Sequence, residues 1–169
     1  VIPNVHVVSR EINDAYALWE HAIQKLLQQN YKVYLVTHDT SDLKVTRQIK
    51  ERFAENSRVV LLEQDFSCIE FNQLVQKFEF LVASRFHSIV HAYKNGVPCI
   101  ALGWADKYGE LLDSVDQGQY LIDIRQKVEE NKLDECIDKM TECCGENRER
   151  IRSHVKRIQQ ENVFDDIKG

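Results

Sequence analysis

The spacing of apolar positions changes repeatedly along this chain, and each change marks a passage between strand and helix. Val5, Val7 and Val8 belong to a short apolar run that predicts a strand over 5–9. Ala15, Leu18, Trp19, Ala22, Ile23, Leu26 and Leu27 then recur at i, i+3, i+4 and i+7, which predicts an amphipathic helix over 13–29 with Asn30 as its stop. Tyr31 to Val36 reads as a second strand, and the polar loop 37–42 offers Ser41 or Asp42 to cap a helix over 43–55. A third strand over 58–62, a short helix over 68–77 and a fourth strand over 80–83 follow. The turn 84–87 opens a helix that ends near Asn95-Gly96, where the glycine provides a left-handed cap. Val97 to Leu102 forms a fifth strand, with Pro98 tolerated near its start. A loop over 103–109, a helix over 109–115, a strand over 119–122 and two charged helices over 125–143 and 146–161 complete the pattern.

Strands that are apolar without alternation, separated by helices, are buried on both faces. The fold class is therefore α/β: a Rossmann-like, doubly wound parallel sheet. The 169 residues carry 43% hydrophobic side chains, enough for one core, and no internal repeat or Pro/Ser-rich linker divides residues 1–169. Because the chain opens on Val1 and not Met, with strand pattern close behind, the expectation is an excised piece of a longer protein without a leader.

Charge removes several function classes. Lys and Arg number 22 against 27 Asp and Glu, a net charge of −5 with neither sign concentrated, so no nucleic acid partner is expected. The longest apolar runs, such as Val59 to Leu62, fall far short of the ~20 residues of a membrane helix, so no transmembrane segment is expected. Five cysteines without a CxxC pair suit reduced thiols in a cytosolic setting, and the adjacent Cys143-Cys144 reads as incidental.

In doubly wound sheets, ligands bind beyond the carboxyl ends of the strands. That edge collects Ser9-Arg10, Thr37-His38-Asp39, Ser84-Arg85-Phe86-His87 and the segment Gly103 to Lys107. Three cations and two histidines on one edge of an acidic chain suit a small anion. No GxGxxG follows the first strand and no GxxxxGK[ST] occurs, so phosphate would be held by side chains and helix N-termini. Arg85, at the start of a helix, suits a carboxylate or phosphate; its structural alternative is pairing with a neighbouring acid. His87 is placed as a general acid, and His91, one turn deeper, as a supporting residue. His87 and His91 have the spacing of two zinc ligands but lack the HExxH glutamate and a third ligand, so no metal is expected. Glu70 reads as a first-turn helix stabiliser, with a ligand-facing role as the alternative.

The stretch Phe80 to Ala92, the segment Gly96-Val97-Pro98-Cys99-Ile100-Ala101-Leu102 and the run Lys107-Tyr108-Gly109 together resemble the C-terminal half of the polysaccharide pyruvyl transferase family. The similarity extends over about residues 5–115. It implies a fold like the C-terminal domain of a GT-B glycosyltransferase, with a further N-terminal domain across a cleft. It implies phosphoenolpyruvate as donor substrate, a glycan or lipid-linked sugar as acceptor, no other cofactor, and formation of a pyruvate ketal with release of phosphate. His87 and Arg85 correspond to the catalytic acid and the arginine that grips the donor. Ser9, Arg10, His38, Ser84 and Lys107 fall at substrate-binding positions. Phe86 departs from the aliphatic residue expected between Arg85 and His87. The expected setting is cytoplasmic, extending to the inner face of the cell membrane, and the isolated piece is expected to bind donor weakly and to lack transfer activity. Two other readings keep the fold: a nucleotide-sugar-binding domain of a GT-B glycosyltransferase, and a noncatalytic glycan-binding relative.

Overall fold

The strands predicted downstream of residue 30 form close to where the apolar runs place them. In the computed structural model, which describes residues 1–10 and 12–160, they are β1 (Val33–Val36), β2 (Val59–Leu62), β3 (Leu81–Ala83), β4 (Cys99–Gly103) and β5 (Leu121–Asp123). β1 and β2 pair in one parallel ladder, and β3, β4 and β5 in another, in that order. β4 starts at Cys99 because Pro98 has no N–H to give; its carbonyl instead accepts from Leu81.

The first two residues join the ladders. Ile2 donates to Val82 O at 2.9 Å and accepts from Ser84 N at 3.1 Å, while Val1 N donates to Tyr34 O at 2.6 Å and Val1 O accepts from Val36 N at 3.0 Å. The spatial order is therefore β2, β1, residues 1–2, β3, β4, β5, and the direction in which the sheet grows reverses beside residues 1–2. Crevices at such reversals are where doubly wound sheets hold ligands.

This corrects the strand predicted over 5–9. Val5–Val8 is a short helix, α1, and the extended pairing belongs to residues 1–2. Asn4 decides the matter: its side chain accepts from His6 N at 2.9 Å, and the Asp42 carboxylate takes Val5 N at 2.8 Å, so the exposed donors of a helical turn are satisfied at once.

The remaining helices are α2 (Ala15–Gln28), α3 (Leu43–Glu51), α4 (Cys68–Val75), α5 (Phe86–Lys94), α6 (Asp106–Asp113) and α7 (Glu130–Gln160). α6 begins earlier than predicted and takes in Gly109, where an added Cβ would meet only Leu121 at 3.7 Å. The two charged helices run together as α7, kinked at Cys143 (φ −106°, ψ 15°) and starting at 130 rather than 125; residue 161 of the predicted span lies outside the described residues. α7 docks on α2 through His21 to Asp134 and Lys25 to Asp138, both at 2.9 Å. Its apolar stripe is buried at Ile151, half-buried at Val155 and 44% exposed at Ile158. The core gathers Trp19, Ile23, Leu35, Ile89, Ile100, Leu102 and Ile137 from both ladders and their helices.

Gly96 closes α5 at φ +69°, and its missing Cβ leaves room for Arg152 of α7, whose Cγ would lie 2.6 Å from it. The Arg152 chain can swing aside, so the backbone conformation sets the cost. Gly96→Ala is expected to lower the unfolding free energy by about 1–2 kcal/mol, and Gly96→Asn by less, measured by urea denaturation.

Candidate active site at the carboxyl edge of the sheet

Arg85 ends the segment after β3 and begins α5, and it does not stand free. Its Nε donates to Asp42 Oδ2 at 2.6 Å and its Nη2 to Asp42 Oδ1 at 2.7 Å, with a third bond from Nη2 to Ser41 Oγ at 3.0 Å. Asp42 is fully buried, and its Oδ1 also accepts from Val5 N. Burial opposes the Arg85 charge, but the Asp42 carboxylate outweighs it and raises the guanidinium pKa. The sequence offered Asp42 as a side-chain cap for α3. The structure corrects this: Asp42 occupies the cap position but makes no capping bond, since Arg85 and Val5 take its carboxylate.

Ser84 is fully buried beside it. Its carbonyl accepts from Asn4 Nδ2 at 3.0 Å and from the Tyr108 hydroxyl at 2.9 Å, so it ties the start of α1, the end of β3 and α6 to one point. Burial pushes the Tyr108 hydroxyl up to about 12, with Arg85 opposing, which keeps it a neutral donor. Ser9 sits at the exposed end of α1, where its hydroxyl donates back to His6 O at 3.0 Å.

Arg10 reaches the edge by a different route from the one the sequence suggested. It follows a helix, not a strand, and its guanidinium lies 4.6 Å from the centre of the Trp104 ring, in the loop after β4. Lys107, exposed in the first turn of α6, lies 4.6 Å from the Phe86 ring, 5.7 Å from Trp104 and 5.9 Å from Tyr108. Phe86 and Tyr108 meet edge to face at 5.5 Å. Neither α5 nor α6 has a side-chain cap, so the first N–H groups of both helices face this edge without a side-chain acceptor, although Tyr108 N of α6 bonds back to Ala105 O. α2 and α4, by contrast, are capped by Asp14 and Ser67. Glu70 completes the α4 cap by accepting from Ser67 N and Oγ at 2.9 and 2.7 Å, the helix-stabilising role.

His87 lies exposed in the first turn of α5, against Phe86. His38, after β1, packs edge to face on Phe71 at 4.5 Å. Its pKa is lowered, first by burial and then by His91, Arg85 and His87, with Asp42 opposing. His91 is lowered by burial, Lys94 and His87. Its Nδ1 lies 3.3 Å from Asn72 Oδ1 and its Nε2 3.7 Å from Cys68 Sγ, so it supports α4 rather than sharing a ligand with His87. Among the described residues, no three His, Cys, Asp or Glu side chains are grouped to hold a metal.

Among the described residues, several buried polar atoms lack partners at this edge, namely Thr37 Oγ1, His38 Nδ1, Ser88 Oγ and Arg10 Nε, while others lie away from it, at Trp19, Gln29 and Gln117. Such atoms are costly unless something polar meets them. A cavity of about 500 Å³ lies elsewhere, at the amino ends of β1 and β3 between Tyr31, Tyr34, Phe78 and Phe80. It shares none of the groups at the edge. The convergent edge has the chemistry of an anion site: two bare helix starts, two cations lying on aromatic rings, an anchored arginine and an exposed histidine.

A sequence-family model described as polysaccharide pyruvyl transferase matches residues 3–106, more than half of the chain. The chain belongs to this family. The matched region contains β1 to β4 and all of the edge just described except Lys107 and Tyr108. Comparisons with curated proteins and with solved structures returned no match. No helix of the described residues is long and apolar enough to cross a membrane.

Sequence reasoning singled out His38, Ser84, Arg85, His87, Arg10 and Lys107, and the structure brings all six to the edge around residues 1–2, with Ser9 at its margin. It gave no site role to Asn4, Tyr108 or Trp104, although Trp104 lay in the edge segment 103–107 and Tyr108 in the motif run, and it read Asp42 only as a helix cap. Asn4, directly before the Val5 run, carried a readable helix-cap signal; the other three act through contacts distant in sequence.

Two measurements probe this geometry. Removing the Asp42 carboxylate leaves a guanidinium only 17% exposed without its partner. Asp42→Ala is expected to cost about 3 kcal/mol in urea unfolding, with strong non-additivity in the double variant with Arg85→Ala. His38 and His91 bind protons more weakly folded than unfolded, so stability is complete above the unfolded value of 6.5 and is lost as pH falls through the lowered folded values. Unfolding free energies measured from pH 7.5 to about 5 should therefore decline, and His38→Gln should flatten the decline.

Proposed function

We propose that this chain forms the donor-binding wall of a pyruvyl transferase that moves a pyruvyl unit from phosphoenolpyruvate onto glycan hydroxyls. The observation that carries the reading is the convergence, in a chain of this family, of Arg10, Lys107, His87 and the bare N-termini of α5 and α6 beside the point where the sheet reverses. The donor bears a carboxylate and a phosphate. Its charge is matched by Arg10, Lys107 and the helix starts, while Arg85, already neutralised on one side by Asp42, contributes its remaining N–H groups and fixes the first turn of α5. His38 and Ser84 belong to the same wall: His38 with a buried ring nitrogen left for a ligand, Ser84 as the strut behind Arg85, and Ser9 at the rim.

His87 acts as general acid. Its proton goes to the methylene carbon of the donor, which makes the adjacent carbon cationic and open to attack by a sugar hydroxyl. Loss of phosphate and attack by a second hydroxyl then close the ketal, with both hydroxyl protons passing to base or solvent. The edge is open, with His87 and Lys107 exposed, which suits one wall of a cleft. We assign the facing wall and most of the acceptor site to an N-terminal domain in a GT-B-like arrangement, and the work to the cytoplasmic side of the membrane where glycan precursors are built. On this reading residues 1–169 alone bind donor weakly and do not complete transfer, and no metal or other cofactor takes part.

The test uses full-length protein. Calorimetric titration should show phosphoenolpyruvate binding more tightly than uridine diphosphate; the reverse order would transfer the chain to the nucleotide-sugar enzymes. His87→Ala should slow phosphate release with a glycan acceptor by at least about 100-fold. Unchanged rates would remove His87 from the chemistry, and glycan binding without any donor binding would make the protein a noncatalytic relative.

A further inference from the structure

Arg10 and Lys107 share an unusual support. Among the described residues neither forms a salt bridge with a carboxylate, although Asp and Glu outnumber Lys and Arg in the chain. Both instead lie within 6 Å of the same indole ring, Arg10 at 4.6 Å and Lys107 at 5.7 Å. Arg85 provides the contrast, since its fork is taken up by Asp42 and Ser41.

The two kinds of support differ in what they leave available. A carboxylate neutralises the cation and occupies its N–H donors, whereas an aromatic face attracts the charge through its quadrupole and occupies none. A cation lying on a ring keeps its hydrogen-bonding capacity for a ligand while losing much of its rotational freedom before the ligand arrives. Arg10 Nε is buried without a partner, which fits a guanidinium held by its face and not by its edge. The indole is placed by Tyr108: the two rings lie 6.0 Å apart, the Tyr108 hydroxyl also meets the Trp104 side chain, and Tyr108 is itself anchored to Ser84 O. Gly103, immediately before it, admits this packing, because a Cβ there would stand 2.6 Å from Leu121 Cδ1 and 2.9 Å from Tyr108 Cβ. Phe86 adds a second face under Lys107, which accounts for an aromatic residue where the family resemblance leads one to expect an aliphatic one.

We infer that Trp104 is a positioning residue for the donor: its indole holds Arg10 and Lys107 in place, un-neutralised, so that both meet the same anion. The inference rests on the proposed reading of this edge as a phosphoenolpyruvate site, and it assigns to Trp104 a share of affinity and not of chemistry.

The experiment compares Trp104→Leu and Trp104→Phe with wild type in the full-length protein. Leucine keeps apolar bulk but has no ring face; phenylalanine keeps a weaker one. The KM for phosphoenolpyruvate is expected to rise about tenfold in Trp104→Leu with kcat within about twofold, and to return to within about threefold of wild type in Trp104→Phe. A fold defect would not be rescued this way, and equal midpoints of thermal unfolding confirm its absence. Proton spectra add a ligand-independent readout: the Lys107 ε-methylene and Arg10 δ-methylene signals should be shifted upfield by the ring current in wild type and relax in Trp104→Leu. Unshifted signals in wild type, or equal KM values in all three proteins, overturn the inference, as does equal impairment in both variants. Titration with inorganic phosphate separates the two readings. If phosphate binds with the same dependence on Trp104 but phosphoenolpyruvate does not bind, the support by Trp104 stands and the donor assignment falls.

Discussion

One buried ion pair sets the geometry of this domain's functional edge. Asp42 comes from the loop after β1 and Arg85 from the start of α5, 43 residues apart, and their two-point contact is shared with the first N–H of α1. Three segments that leave the sheet at neighbouring strands are thus fixed to one carboxylate. Within a low-dielectric setting such a pair is costly unless its geometry is complete, and here every oxygen of Asp42 has a donor. Its contribution is specificity of arrangement: it fixes where α5 begins, and with it the position of His87 and the bare helix start.

Around that pair the edge divides its cations into two classes. Arg85 is held by charge and serves the architecture. Arg10 and Lys107 lie on aromatic faces and, among the described residues, pair with no carboxylate. A single sheet edge can therefore be rigid and electropositive at once in a chain whose net charge is −5. Thr37, His38 and Ser88 add buried polar atoms without partners among the described residues to the same edge, although others lie elsewhere in the fold.

Most of the architecture was legible in the sequence because it is local. The helical stripe from Ala15 to Leu27 and the unbroken apolar runs of β1 to β4 declare element type, and those of β3 and β4 burial on both faces, whereas β2 at the sheet's edge is only partly buried beyond Val59. What was not legible depends on partners. Residues 1–2 become strand-like only through β1 and β3, and no periodicity can be read from two residues. The run 5–8 looked extended because Val is favoured in strands, but Asn4 and Asp42 satisfied its N–H groups as a helix. The candidate residues could be gathered on one edge because the carboxyl ends of strands are predictable once the strands are. Their division of labour was not predictable, since whether an arginine faces an acid or an indole is settled by tertiary contact.

The bare starts of α5 and α6 carry an energetic consequence of their own. An anion that settles there acts as the cap that the sequence withholds, so occupancy and stability are linked: its binding raises the unfolding free energy by RT ln(1 + [L]/Kd). An empty edge is then the least stable state of the molecule, and any anion that fits the two helix starts is a stabiliser of the fold.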